Sequence, residues 1–225
     1  MRAAVAMALA APLLAALLAP AHAQEGINPS LGIRDVAVPA GDFNVVARDA
    51  EAVALDEVHA TSWQVTIRNG LEYVEGAAGA VLRLHDAGEE GKFIEVGMGP
   101  PPDRTFWAAV RLPSAEGYVP VHSMAERGWS PSAAVIVAYT DRAGMTINNG
   151  QRIVVSNLDV GEFAISSWSV HGVESYLDGP SVASGEYRFE ILSGDPAENA
   201  FHLFPFYVTA AVGALAGLLF LTKRR

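Results

Sequence analysis

Between Gln24 and His202, Pro, Gly, Asn or Asp interrupts the chain roughly every ten residues, and the runs between these breaks alternate apolar and polar side chains. Alternation with period two places successive side chains on opposite faces of a strand. A helical apolar period is nearly absent; residues 47–58, where alanine and valine mix with acids, come nearest to one. The punctuation therefore predicts an antiparallel all-β domain, a sandwich of immunoglobulin-like or jelly-roll type. Candidate strands are 42–47, 63–68, 71–74, 80–84, 92–96, 106–112, 117–122, 133–139, 145–148, 151–156, 162–170 and 185–192. Two Asn-Gly pairs, Asn69-Gly70 and Asn149-Gly150, stand between such runs and predict hairpin turns. In the last run Tyr187, Phe189 and Ile191 share one face, as a core strand requires.

Both ends of the chain differ from this middle. Residues 1–23 carry Arg2, an Ala/Leu-rich apolar stretch and the small-x-small triplet Ala21-His22-Ala23, which predicts a signal peptide cleaved before Gln24. Residues 203–221 hold no charge, with Phe204, Phe206 and Tyr207 at one end and Lys223-Arg224-Arg225 beyond the other. Apolar length, interfacial aromatics and a basic flank predict a transmembrane helix at 203–222 with residues 223–225 in the cytoplasm. The expected order is a signal peptide, an extracytoplasmic domain at 24–192, a juxtamembrane linker at 193–202, the helix, and the tail. Thr209, Gly213 and Gly217 recur every fourth residue on one helix face, a small-residue stripe suited to close packing against a second helix. It predicts self-association or docking onto a membrane-protein partner.

Charge and composition narrow the function. All 25 acidic residues lie in 24–202, against 11 of the 15 basic ones, a net charge of −14 for that segment. Such a surface repels phosphate backbones, which argues against nucleic acid as a partner. There is no cysteine, so disulfides, thiolate metal sites and a cysteine nucleophile are excluded. Hydrolase, metalloprotease, P-loop and dinucleotide fingerprints are absent as well. Glu89-Glu90 falls in the Gly-flanked turn 86–91, where solvation opposes the pKa shift that acid catalysis needs.

The remaining candidates are binding residues. His122 and Met124, spaced i,i+2 at a strand end, offer an imidazole and a thioether to copper. Met98, Met145, His59, His85 and His171 are further donors of the same kinds. The segment containing Asp178-Gly179 and Ser184–Phe189 resembles the closing strand of periplasmic copper-carrier sandwiches. Those carriers place a histidine at the mature N-terminus, where Gln24 is expected here. Trp63, Trp107 and Trp168 lie in strand-like runs and are expected in the core. Trp129, in the turn-like Arg127-Gly128-Trp129-Ser130-Pro131, and Met98, beside the proline-rich 99–103, are candidates for a loop binding surface, with a buried structural plug the favoured reading of Trp129, since tryptophan is highly buried on average. The sequence thus predicts a non-enzymatic, membrane-anchored interaction module, an accessory or scaffolding subunit of an envelope complex, needing no cofactor. The alternative is a periplasmic copper-handling protein.

Overall fold

A computed structural model describes residues 33–59, 62–74, 78–113 and 117–193. Twelve strands run through them: β1 (Ile33–Pro39), β2 (Val53–His59), β3 (Ser62–Tyr73), β4 (Ala80–Asp86), β5 (Phe93–Met98), β6 (Phe106–Leu112), β7 (Gly117–Met124), β8 (Val135–Thr140), β9 (Gly144–Asn148), β10 (Ile153–Leu158), β11 (Ile165–His171) and β12 (Val182–Ser193). A 3-10 turn at Ala40–Phe43 follows β1. The strands form two six-stranded sheets, ordered β1-β12-β3-β8-β9-β10 and β2-β11-β4-β5-β6-β7, with every named pairing antiparallel. The fold is an all-β two-sheet sandwich. Residues 1–32 and 194–225, which hold the expected signal peptide, most of the linker, the membrane helix with Thr209, Gly213 and Gly217, and the basic tail, lie outside the described residues. Among the described residues no helix is long and apolar enough to cross a membrane.

The core follows from alternation. Val65 and Ile67 of β3, Val135, Val137 and Tyr139 of β8, and Tyr187, Phe189 and Ile191 of β12 meet Leu82, Leu84, Ile94, Val96, Phe106 and Val110 from the second sheet. The segment between β1 and β2 forms the 3-10 turn instead of the expected strand at 42–47, and Phe43 drops into the core against Tyr187, ring centroids 4.9 Å apart. Residues 47–58 are not helical, since β2 occupies their second half and pairs with β11 at the sheet edge.

The two Asn-Gly pairs part company. Asn149-Gly150 turns as expected: the Asn149 side chain accepts from the backbone N–H of Gln151 and Arg152, Gly150 takes φ +87°, and β9 returns as β10. Asn69-Gly70 does not turn. β3 runs straight through it, with Gly70 opposite Glu186 of β12. Asn69 is buried, and its amide donates to the Tyr73 hydroxyl at 2.7 Å while its carbonyl accepts from Leu71 N–H. The long partner strand β12 supplies eleven paired positions, more than a local turn offers, and a buried Asn with its own partners tolerates the straight path.

β5 differs from its neighbours because all six residues are buried. Ile94, Val96 and Met98 point into the core, so Phe93, Glu95 and Gly97 face away from it yet are covered. An antiparallel sheet ordinarily leaves that outer face to water. Here side chains of the sheet itself, together with the chain near Ala47, cover it.

Candidate functional site

The register of the second sheet lays three rows across its outer face. The first is His171, Val81, Gly97, Trp107 and Ser123; the second is Ser169, Arg83, Glu95, Ala109 and Pro120; the third is Ser167, His85, Phe93, Arg111 and Tyr118. Small side chains at Gly97 and Ala109 leave room above the sheet, and the larger neighbours lean into it. A Cβ on Gly97 would stand 1.9 Å from Cε2 of Trp107, so the indole lies directly on that glycine's backbone. A Cβ on Gly79 would meet Cη2 of the same ring at 3.0 Å, so this second glycine makes room for its far edge.

Glu95 is the hub of this face. Only 4% exposed, it receives Arg83 Nε on Oε2 at 2.7 Å, and on Oε1 both the Tyr118 hydroxyl at 2.8 Å and Trp107 Nε1 at 3.3 Å. A buried carboxylate needs such partners, because its desolvation costs several kcal/mol when left unpaired. The Arg83 guanidinium also lies 4.6 Å from the Phe93 ring centroid and reaches the Ala47 carbonyl, tying the chain before β2 to the sheet. Tyr118, about half exposed, has its phenol pushed up to about 12, first by burial and then by its hydrogen bond to Glu95 and that group's charge, with Arg83 opposing.

Two histidines flank the hub. His85 Nε2 lies 2.8 Å from Ser169 Oγ, and burial, with Arg83 adding to it, holds the imidazole below its ordinary value. Ser169 is 2% exposed, so this hydroxyl is closed to an incoming substrate. His171, 7% exposed, has its pKa brought down to about 4 by burial, then by Arg83, with Glu95 pulling the other way. Its Nδ1 is buried without a hydrogen-bond partner in the protein. His171, Glu95 and Trp107 line a pocket of about 220 Å³ together with Val81, Ala47 and the loop at Gly172–Glu174. A wider cleft of about 830 Å³, between residues 100–105 and 172–181, shares Ala78, Gly172, Val173 and Glu174 with it. The arrangement offers one aromatic face, the Glu95 carboxylate with a lone-pair site to spare, a second carboxylate from Glu174, and one neutral imidazole.

The residues singled out from sequence lie elsewhere. Met98 and Trp129 do not form a loop surface. Met98 is the last residue of β5, 1% exposed, and Trp129 is 4% exposed, with its indole N–H on the Gly99 carbonyl at 2.9 Å and its ring beside Tyr73. The turn that carries Trp129 folds inward because its large apolar ring finds a socket and its one donor finds a carbonyl. His122 and Met124 do share a side, opposite Ala108 and Phe106 on the core side of β6. His122 Nε2 is buried without a protein partner, while the Met124 sulfur faces the Asn149 amide at 3.5 Å and Arg152 at 3.9 Å. Met145, fully buried in β9, is a core residue, whereas His85 and His171 belong to the outer face. Among the described residues no three His, Asp or Glu side chains gather as metal ligands. Trp63 and Trp168 are core residues as expected; Trp107 is not. Sequence reasoning missed Glu95 and Trp107, although a lone acid inside the apolar run Phe93–Met98 was the available signal.

No family model and no curated protein matches the chain. Solved structures similar to it include a GH43 protein from Bacillus licheniformis, at 6% identity and TM-score 0.41, covering 71% of this chain and 33% of that one. A beta-fructofuranosidase from Schwanniomyces occidentalis is 8% identical with TM-score 0.45, covering 75% and 35%. A Bacillus licheniformis beta-glucanase is also 8% identical, with TM-score 0.41, covering 76% and 95%. The chain spans about a third of the length of the first two.

Proposed function

We propose that this protein is a membrane-held, extracytoplasmic binding module that takes a hydroxyl-rich ring ligand, a carbohydrate, in the pocket between Glu95, Trp107 and His171. The observation that carries the reading is the partnerless, buried Nδ1 of His171 beside that carboxylate and that indole. A buried polar atom without a partner costs about 1–3 kcal/mol, and a ligand hydroxyl removes the cost once the ring turns to bring Nδ1, covered in the free protein, to the pocket. The Trp107 face complements the positively polarised C–H bonds of a sugar ring, the weak counterpart of a cation over an aromatic face. Glu95 accepts three protein donors, and a carboxylate has about four lone-pair sites, so one remains for a hydroxyl.

Titration calorimetry of the full chain in a sugar-free detergent, against neutral hexaoses of several linkages, tests this. At least one should bind saturably, and Trp107→Ala and His171→Leu should each weaken it at least tenfold while circular dichroism stays strand-like. Failure of every neutral, acidic and amino sugar to bind, or variants that bind as well as the parent, overturns the reading.

The anchoring half of the proposal rests on the sequence of residues 1–23 and 203–225. Gly213→Ile or Gly217→Ile should reduce crosslinked dimer or complex in native membranes, and Leu215→Ile should not. Equal yields from all three leave the helix as a plain anchor.

A second reading, copper handling, is favoured by the buried, partnerless His122 Nε2 on the same side as Met124. Metal analysis after copper loading should show one equivalent that His122→Ala removes. No retained copper ends that reading.

A further inference from the structure

The inner pocket and the outer cleft adjoin through four shared lining residues, Ala78, Gly172, Val173 and Glu174, and we infer that together they read the end of an uncharged glycan chain. The end unit would occupy the inner pocket and the next units the cleft. This inference rests on the carbohydrate reading above and specifies which carbohydrate and how it is held.

Size sets the first limit. About 220 Å³ is below the roughly 300–1,000 Å³ of pockets for drug-sized ligands, which suits a single ring. The pocket shares its Ala78 and Gly172–Glu174 wall with a neighbouring space of about 830 Å³. A lone sugar leaves that second space unused, whereas a chain entering end-on fills both. The sheet itself forms the floor of the inner pocket, with Trp107 lying on Gly97 and His171 beside Val81, so the end unit rests against the strands.

Charge sets the second limit. Glu95 and Glu174 line the same pocket, and Asp103, Glu174 and Asp178 line the cleft, where no lysine or arginine is found among the described lining residues. An acidic glycan meets three carboxylates along the cleft with no counter-charge. A neutral chain meets hydrogen-bond acceptors and suffers no such repulsion. The rigid side of the cleft is the Pro100–Pro102 run, which presents a fixed edge along which successive rings can lie.

The test uses the full chain with whichever neutral series binds, taken from the monosaccharide to the hexaose. Affinity should rise at least tenfold between one and four units and then level off. Blocking one chain terminus should abolish binding, and blocking the other should leave it intact. Uronate oligomers should bind at least tenfold more weakly than neutral ones, and Glu174→Lys with Asp103→Lys should narrow that gap at least tenfold at low salt. Equal affinity for monosaccharide and hexaose, or binding that survives blocking of both termini, overturns the end-on inference while leaving the carbohydrate reading in place. Uronate oligomers that bind the parent as well as neutral ones overturn the charge selection. Absence of any carbohydrate binding removes both readings together and is distinguished from these outcomes by the monosaccharide arm.

Discussion

Trp107 lies across Gly97 so closely that a Cβ on the glycine would stand 1.9 Å from the indole Cε2. That contact makes the floor of the pocket, because the same ring donates to Glu95 and lines the cavity with His171. Gly97→Ala must push the ring off the sheet. Overpacking of this kind costs about 1–3 kcal/mol. Denaturant unfolding should show that loss for Gly97→Ala and only a partial further loss when Trp107→Ala is added, because the clash has then been removed. Strict additivity of the two changes in a double-mutant cycle contradicts the contact.

The Arg83–Glu95 pair is the second structural element of the site. The Glu95 side chain is 5% exposed and that of Arg83 19%, so removing one partner strands the other in a dry setting. Glu95→Leu should cost about 3–5 kcal/mol by the usual penalty for breaking a buried pair. The double variant Arg83→Leu with Glu95→Leu should recover much of that loss. Chemical denaturation of the three variants checks this, and a double variant less stable than Glu95→Leu alone runs against it.

Stability should also depend on pH through His171. Its folded value lies near 4 against an ordinary 6.5, so between these values the unfolded chain holds a proton that the folded chain does not. Stability is therefore fully present above about 6.5 and falls as pH drops toward 4, by at most about 3 kcal/mol from this group. His85, shifted in the same direction, adds to the slope. Melting temperatures from pH 7 to pH 4 should fall less steeply for His171→Leu than for the parent. Parallel slopes would mean that His171 is not buried in its neutral form.

The two Asn-Gly pairs show what local sequence conveys and what it does not. Gly150 sits at φ +87°, with the place for a Cβ only 3.0 Å from Ala133 Cβ and from the Ala134 carbonyl. Gly70 lies inside a straight strand, where a Cβ would meet the Glu186 carbonyl at 3.1 Å. Gly150→Ala should therefore cost about 1–3 kcal/mol from strain alone. Gly70→Ala should cost less, because the strand tolerates an L-residue conformation there. Thermal unfolding of the two variants decides it, and a larger loss at Gly70 reverses the account.

Most strands were legible because alternation is a local property: β6 matches the expected 106–112, and the face formed by Tyr187, Phe189 and Ile191 is buried as read. What distance in sequence hides is pairing. Nothing near Asn69 announces that β12, more than a hundred residues later, will hold β3 straight. The site was illegible for the same reason. Glu95, Arg83, Trp107 and His171 come from four strands, and only the register places them in adjacent rows. Lying inside a strand-like run suggests the core for Trp107, although its own alternation with Phe106 and Ala108 puts it on the other face. Trp129 is a turn residue that is core, in keeping with its reading as a buried plug and against that of a loop surface.

The central claim, that His171 Nδ1 meets the ligand, is open to direct measurement by nitrogen NMR of the histidine-labelled full chain during carbohydrate titration. The His171 resonances are identified by their loss in His171→Leu. With a binding carbohydrate, the His171 Nδ1 signal should move in proportion to site occupancy, with that of His122 unchanged. Saturating carbohydrate that leaves the His171 ring nitrogens where they stand in the free protein would contradict the account.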